Sequence, residues 1–117
     1  MNLQEFQEVL EKRLERTVAV LGAKNAEYAR GDDKLHNFKR GSARLKEIPE
    51  RYLMELNEKH LCSIMDMIDD LDRGQCANMA VWEEKIGDAI NYLILLEALI
   101  VERIHESFDR EIQDAEH

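Results

Sequence analysis

A chain of 117 residues with one proline and five glycines fits one domain, and it has too few turn formers for a loop-rich all-β fold. Its 44% hydrophobic and 35% charged residues exclude a disordered chain, and no apolar run approaches the roughly 18 residues that span a membrane. A formal net charge of −9 argues against a long nucleic acid as partner.

The apolar residues are mostly Leu, Ile, Met and Ala, which favour helices, and the periodicity predicts four of them. The first begins near Leu3, where Asn2 and Glu5 resemble a capping box. Leu3, Phe6, Leu10, Leu14, Val18 and Leu21 step along one stripe. If the helix passes through Gly22, Asn25 and Tyr28 continue that inward face, and Gly31 is its terminator. Asp32 or Asp33 is the expected cap of a short second helix, with Leu35, Phe38, Ser42 and Leu45 inside. Pro49 suits the first turn of a third helix, which runs to about Asp72 before Arg73-Gly74. Its stripe is Leu53, Leu56, Ile64, Met67, Ile68 and Leu71. After a loop over 74–79, Asn78 caps a fourth helix that starts near Ala80 and runs past Ile104. Trp82, Ile86, Ile90, Leu93, Leu96 and Ile100 mark its expected buried side, and the polar tail from about 109 is expected to fray. No strand pattern is present. The expectation is a single all-α domain over 1–117, a four-helix bundle. Because Leu95, Leu99 and Ile94 add apolar surface on further sides of the fourth helix, a homodimer or higher homo-oligomer is expected to complete it.

The amphipathic, charged N-terminus lacks the apolar core of a signal peptide, so a cytoplasmic location is the default, with no membrane partner and with Cys62 and Cys76 as free thiols. Charge is unevenly spread. Residues 24–46 carry seven cations and three anions, a local +4 that leaves −13 on the rest. Within that region, "KNAEYARGDDKLHNFKRG" combines Lys24, Arg30 and Lys39 with Asn25, Asn37, Tyr28 and Phe38. Such a set can hold a small nucleotide. Cations take phosphates, amides read a base or ribose, and an aromatic ring stacks. The plainer account is a turn pinned by Tyr28, Asn37 and Phe38, with its cations in water.

His60 lies on the third helix's apolar stripe, beside Lys59 and Ser63. A histidine there is more often a satisfied core residue than a catalytic one; if it faces a polar pocket, His60 and Lys59 are the catalytic candidates. Glu55 and Glu58 share one helical face, as do Glu84 and Asp88, and bundles build Mg²⁺ sites from carboxylates on facing helices. With 25 acids in the chain, solvated helix faces explain such pairs as readily. Asp88 is the more telling residue. It sits among Gly87, Ala89, Asn91 and Tyr92 in an otherwise apolar helix, and a buried carboxylate needs a partner or a metal.

The helix "WEEKIGDAINYLILLEALI" resembles the E-E-L-G-D-x-x-x-Y helix of the MazG-like, all-α NTP pyrophosphatases. "KNAEYARGDDKLHNF" is similar to a K-x-x-D-Y-G-x-x-D-x-x-x-N-F segment of small phage and prophage proteins in the nucleotide-modification-associated group, and "EKHLCSIMDMI" resembles their third helix. Together these cover about half the chain. The resemblance implies a MazG-like bundle that binds Mg²⁺ through Glu55 and Glu58 on one helix and Asp88 on another. The remaining ligand would fall at Lys85, so only the neighbouring Glu84 is available, one residue out of register.

Three functions follow as expectations. One is a phage-type, Mg²⁺-dependent NTP pyrophosphatase-like hydrolase acting on a small nucleotide. The second is a binder or sponge for nucleotides without turnover. The third is a structural or protein-interaction bundle.

Overall fold

A computed structural model describes residues 1–28 and 35–116, the side chains of 23–28 excepted; among them every regular element is helical. The helices are α1 (Leu3–Tyr28), α2 (His36–Arg44), α3 (Pro49–Asp72) and α4 (Met79–Glu116). None of them is long and apolar enough to cross a membrane.

The ends form for local reasons. Asn2 Oδ1 accepts from the Glu5 amide at 2.8 Å, and Asn78 Oδ1 accepts from the Val81 amide at 3.1 Å, so both asparagines cap as expected. Pro49 opens α3 from an extended Ile48. Two helices close with the same paired bonds. The Glu47 amide donates to the Ser42 carbonyl and Lys46 to Ala43; likewise Gln75 donates to Asp70 and Gly74 to Leu71. The left-handed position is Gly74 in one (φ 81°) and Lys46 in the other (φ 56°). Helix α2 starts after Leu35 without a side-chain cap; Asp32 and Asp33 lie outside the described residues.

The short connection after Gly74 turns α4 back along α3. The pairs Glu50–Arg103 and His60–Asp88 show the two running antiparallel. Leu53, wholly buried, meets Leu95, Leu99, Leu35 and Phe38, with Tyr52, Leu56, Tyr92, Leu96 and Leu21 packed around them. Helix α2 lies against α3, its Gly41 under the Tyr52 ring. Helix α1 runs parallel to α4. Its Arg13 reaches Glu83, its Thr17 lines one cavity with Gly87 and Asn91, and its Leu21 touches the core.

Two neighbouring residues of α4 tie the other helices down. Glu102 pairs with Lys39 of α2 at 2.5 Å, and Arg103 donates to both carboxylate oxygens of Glu50 on α3. Those hydrogen bonds hold the nearly buried Glu50 carboxyl below its ordinary range, against the opposing effect of burial.

Two details depart from the sequence reading. On α4 the buried residues are Gly87, Ala89, Asn91, Leu95 and Leu99, while Ile86, Leu93 and Ile100 are exposed. A helix apolar on several sides admits more than one inner face, and the small residues mark where neighbours close in. Leu45 is exposed, because α2 ends at Arg44 and leaves it in the cap. Helix α4 runs on to Glu116, and none of its residues beyond Leu99 is buried.

The α1 stripe also faces outward, with Leu3 83% and Val18 73% exposed. The radius of gyration is 18.2 Å, where a compact domain of this length has about 13 Å.

Two glycines should respond oppositely to alanine. At Gly41 a methyl overlaps the Tyr52 ring, so Gly41→Ala should destabilise by roughly 1–3 kcal/mol. At Gly22 nothing lies within 4 Å of the new methyl on an exposed helix, so Gly22→Ala should stabilise by about 0.5–1 kcal/mol. Denaturant melts of both variants check the signs.

Candidate functional site

The third and fourth helices meet through apolar side chains at one end of their seam and polar ones at the other. Asn57 follows Leu53 by one turn of α3 and is wholly buried, yet neither atom of its amide has a hydrogen-bond partner. One turn further, His60 Nδ1 stands 3.8 Å from Asp88 Oδ2, within ion-pair reach when the ring is protonated but too far for a direct hydrogen bond. The His60 ring rests on Tyr92, with centroids 4.9 Å apart, and Tyr92 meets Phe38 edge-on at 6.1 Å. A row of rings thus leads from α2 to Asp88.

Asp88 also faces the other way, into a cavity of about 320 Å³ between α1 and α4. Its walls are Arg13, Arg16, Thr17 and Val20 on α1, and Glu83, Glu84, Gly87, Asp88 and Asn91 on α4. The helices approach closely here because Gly87 has no side chain; a methyl there would stand 2.6 Å from Arg13 Nη1. Arg13 Nη2 donates to the Glu83 carbonyl at 3.0 Å, and Arg16 pairs with the Glu83 carboxylate. Thr17 is 8% exposed and Asn91 7%, and Thr17 Oγ1 and Asn91 Oδ1 are both buried without a partner. Two orphaned oxygens on facing helices, beside two carboxylates at one-turn spacing, are a receptor for hydrogen-bond donors.

The expected site residues are distributed as follows. Asp88 and His60 come together, and Glu84 lines the same cavity as Asp88. Glu55 and Glu58 line a different cavity, of about 690 Å³, which shares no residue with the first. Partial burial, then the neighbouring Glu55, push the Glu47 carboxyl above its ordinary range, with Arg51 opposing. Among the described residues, no three His, Cys, Asp or Glu side chains are grouped to hold a metal ion. The expected Mg²⁺ ligands are thus divided, Glu55 and Glu58 lining one cavity and Glu84 and Asp88 another.

Lys59 is exposed, and its carbonyl accepts from Ser63 Oγ. Phe38 is 4% exposed in the core, Asn37 is exposed, and Lys39 is held by Glu102. Arg30 and the side chains of Lys24, Asn25 and Tyr28 lie outside the described residues.

The sequence reading did not single out Arg13, Arg16, Thr17 and Glu83, and it took Asn91 only as a neighbour of Asp88. The available signal was Thr17, a hydroxyl set in the middle of the Leu10, Leu14 and Leu21 stripe. No family model, curated protein or solved structure matches the chain.

Asn57 supplies a direct test of the polar seam. Leucine has nearly the same volume and no group left unsatisfied. Asn57→Leu should raise the stability of the ligand-free protein by roughly 1–3 kcal/mol, read from denaturant unfolding.

Proposed function

We propose that this protein handles small nucleotides by binding them in the α1–α4 cavity. The observation that carries this reading is that Thr17 and Asn91, which line that cavity from facing helices, each bury a side-chain oxygen without a partner. Burying such atoms unpaired costs about 1–3 kcal/mol each, which a donor-bearing ligand recovers when the two side chains turn to meet it. The resemblance of the Trp82–Ile100 helix to MazG-like nucleotide hydrolases supplies the ligand class. Binding without turnover is favoured over hydrolysis, because Glu55 and Glu58 stand apart from Glu84 and Asp88. The MazG-like hydrolase remains the second reading, supported by Glu84 and Asp88 facing one cavity. A thermal-shift screen of nucleotides with and without Mg²⁺ tests this. Stabilisation should not require the metal, and should reach about 2.7 kcal/mol at 100 times the dissociation constant. Mg²⁺-dependent pyrophosphate release would establish the hydrolase instead. Neither response would leave an interaction scaffold.

The same reading includes a second copy of the chain. The accessible surface is 8909 Å², whereas a folded monomer of 13.7 kDa has about 6,600 Å². The excess is well above the roughly 800 Å² per partner of a standard interface. Much of it is apolar, in the α1 stripe of Leu3, Phe6, Leu10, Leu14 and Val18 and in Val101, Ile104, Phe108 and Ile112 of α4. Sedimentation at micromolar concentration should give a dimer, and Leu10→Glu with Leu14→Glu should give a monomer. A wild-type monomer would contradict it.

A further inference from the structure

We infer that the α1–α4 cavity reads the amino edge of a nucleobase, holding adenine or cytosine in preference to hypoxanthine or uracil. This rests on the nucleotide reading above and names the ligand within it. Glu84, Asp88 and Asn91 follow one another at intervals of four and three on α4, so all three face the cavity from one side of the helix. Of the wall cations, Arg16 pairs with the Glu83 carboxylate and one N–H of Arg13 donates to the Glu83 carbonyl. On its α4 side the cavity offers a ligand acceptors, the Glu84 and Asp88 carboxylates and Asn91 Oδ1.

An exocyclic amine carries two N–H donors. One satisfies Asn91 Oδ1, and the other meets the Asp88 or Glu84 carboxylate. The Thr17 hydroxyl, buried and unpartnered, can donate to the ring nitrogen beside that amine. A keto base places a carbonyl oxygen where the amine would be. Asn91 could turn its amide over to suit it, but ionised carboxylates only accept. Discrimination therefore lies with Glu84 and Asp88, and binding with Asn91 and Thr17. A volume of about 320 Å³ is within the range of small-ligand sites.

Calorimetric titration of the full chain tests this with matched pairs, adenosine against inosine monophosphate and cytidine against uridine monophosphate. The amino member of each pair should bind at least tenfold tighter, about 1.4 kcal/mol. In the isosteric double variant Glu84→Gln, Asp88→Asn, that ratio should fall toward one while adenosine monophosphate still binds. A simple aliphatic diamine separates a base from any amine, and it should bind far more weakly. Equal affinity within each pair in the wild type overturns the inference and leaves the nucleotide reading intact. So does a ratio unchanged in the double variant, or a diamine that binds as tightly as adenosine monophosphate. If no nucleotide binds, both fall together.

Discussion

The antiparallel contact of α3 with α4 is what the rest of the molecule is attached to. Leu53 sits at its centre, fully buried against Leu95 and Leu99. Helix α2 has nine residues, too few to persist alone in water. It holds its form because Phe38 enters that same core and Lys39 reaches Glu102. The adjacent Arg103 holds the start of α3 through Glu50. A half-exposed arginine beside a nearly buried carboxylate is an asymmetric pair. The acid depends on the base, because burying a carboxylate without a partner is costly.

Further along the same seam the packing stops obeying the rules of a core. Leu53 is followed by Asn57, an amide with nothing to bond, and then by His60 beside Asp88. Thr17 and Asn91 repeat the pattern across the α1–α4 contact. Net folding stability is typically about 5–15 kcal/mol, so several unsatisfied groups consume a real part of it. Departures from local consistency concentrate at functional sites. Here Asn57, Thr17 and Asn91 lie on the helices around one carboxylate, Asp88, that faces both His60 and the cavity, while His36 Nε2 and Glu47 Oε1 lie apart on α2 and the turn after it.

The fold was legible because its signals are local. Asn2, Pro49, Gly74 and Asn78 each act on the nearest turn, and they mark helix ends where the chain has them. Asp88 was legible as well, since a carboxylate in an apolar helix is costly wherever that helix packs. The inner face of α4 was not. Leu93 and Leu95 are equally apolar, and only the position of α3 makes one exposed and the other buried. The α1 stripe misled for a related reason: periodicity finds an apolar face but not what covers it. In one chain, α1 rests on α4 through Arg13, Thr17 and Leu21, while Leu3, Leu10 and Leu14 face outward. Glu55 and Glu58 show the limit for sites, since helical spacing pairs them with each other but cannot bring them to Asp88.

The parallel setting of α1 beside α4 has an electrostatic consequence. Like ends of the two helix dipoles lie side by side, whereas the dipoles of α3 and α4 oppose and attract. Among the described residues little apolar area joins α1 to the bundle, and its docking there rests on Leu21 and on the arginine bonds to Glu83. The cavity has one wall on each helix and exists only while α1 is docked. Docking and occupancy are thus linked, and the linkage is reciprocal. Whatever bridges Thr17 to Asn91 fastens α1 by the free energy of its own binding. Whatever fastens α1 from outside tightens the cavity's hold on its occupant by the same amount.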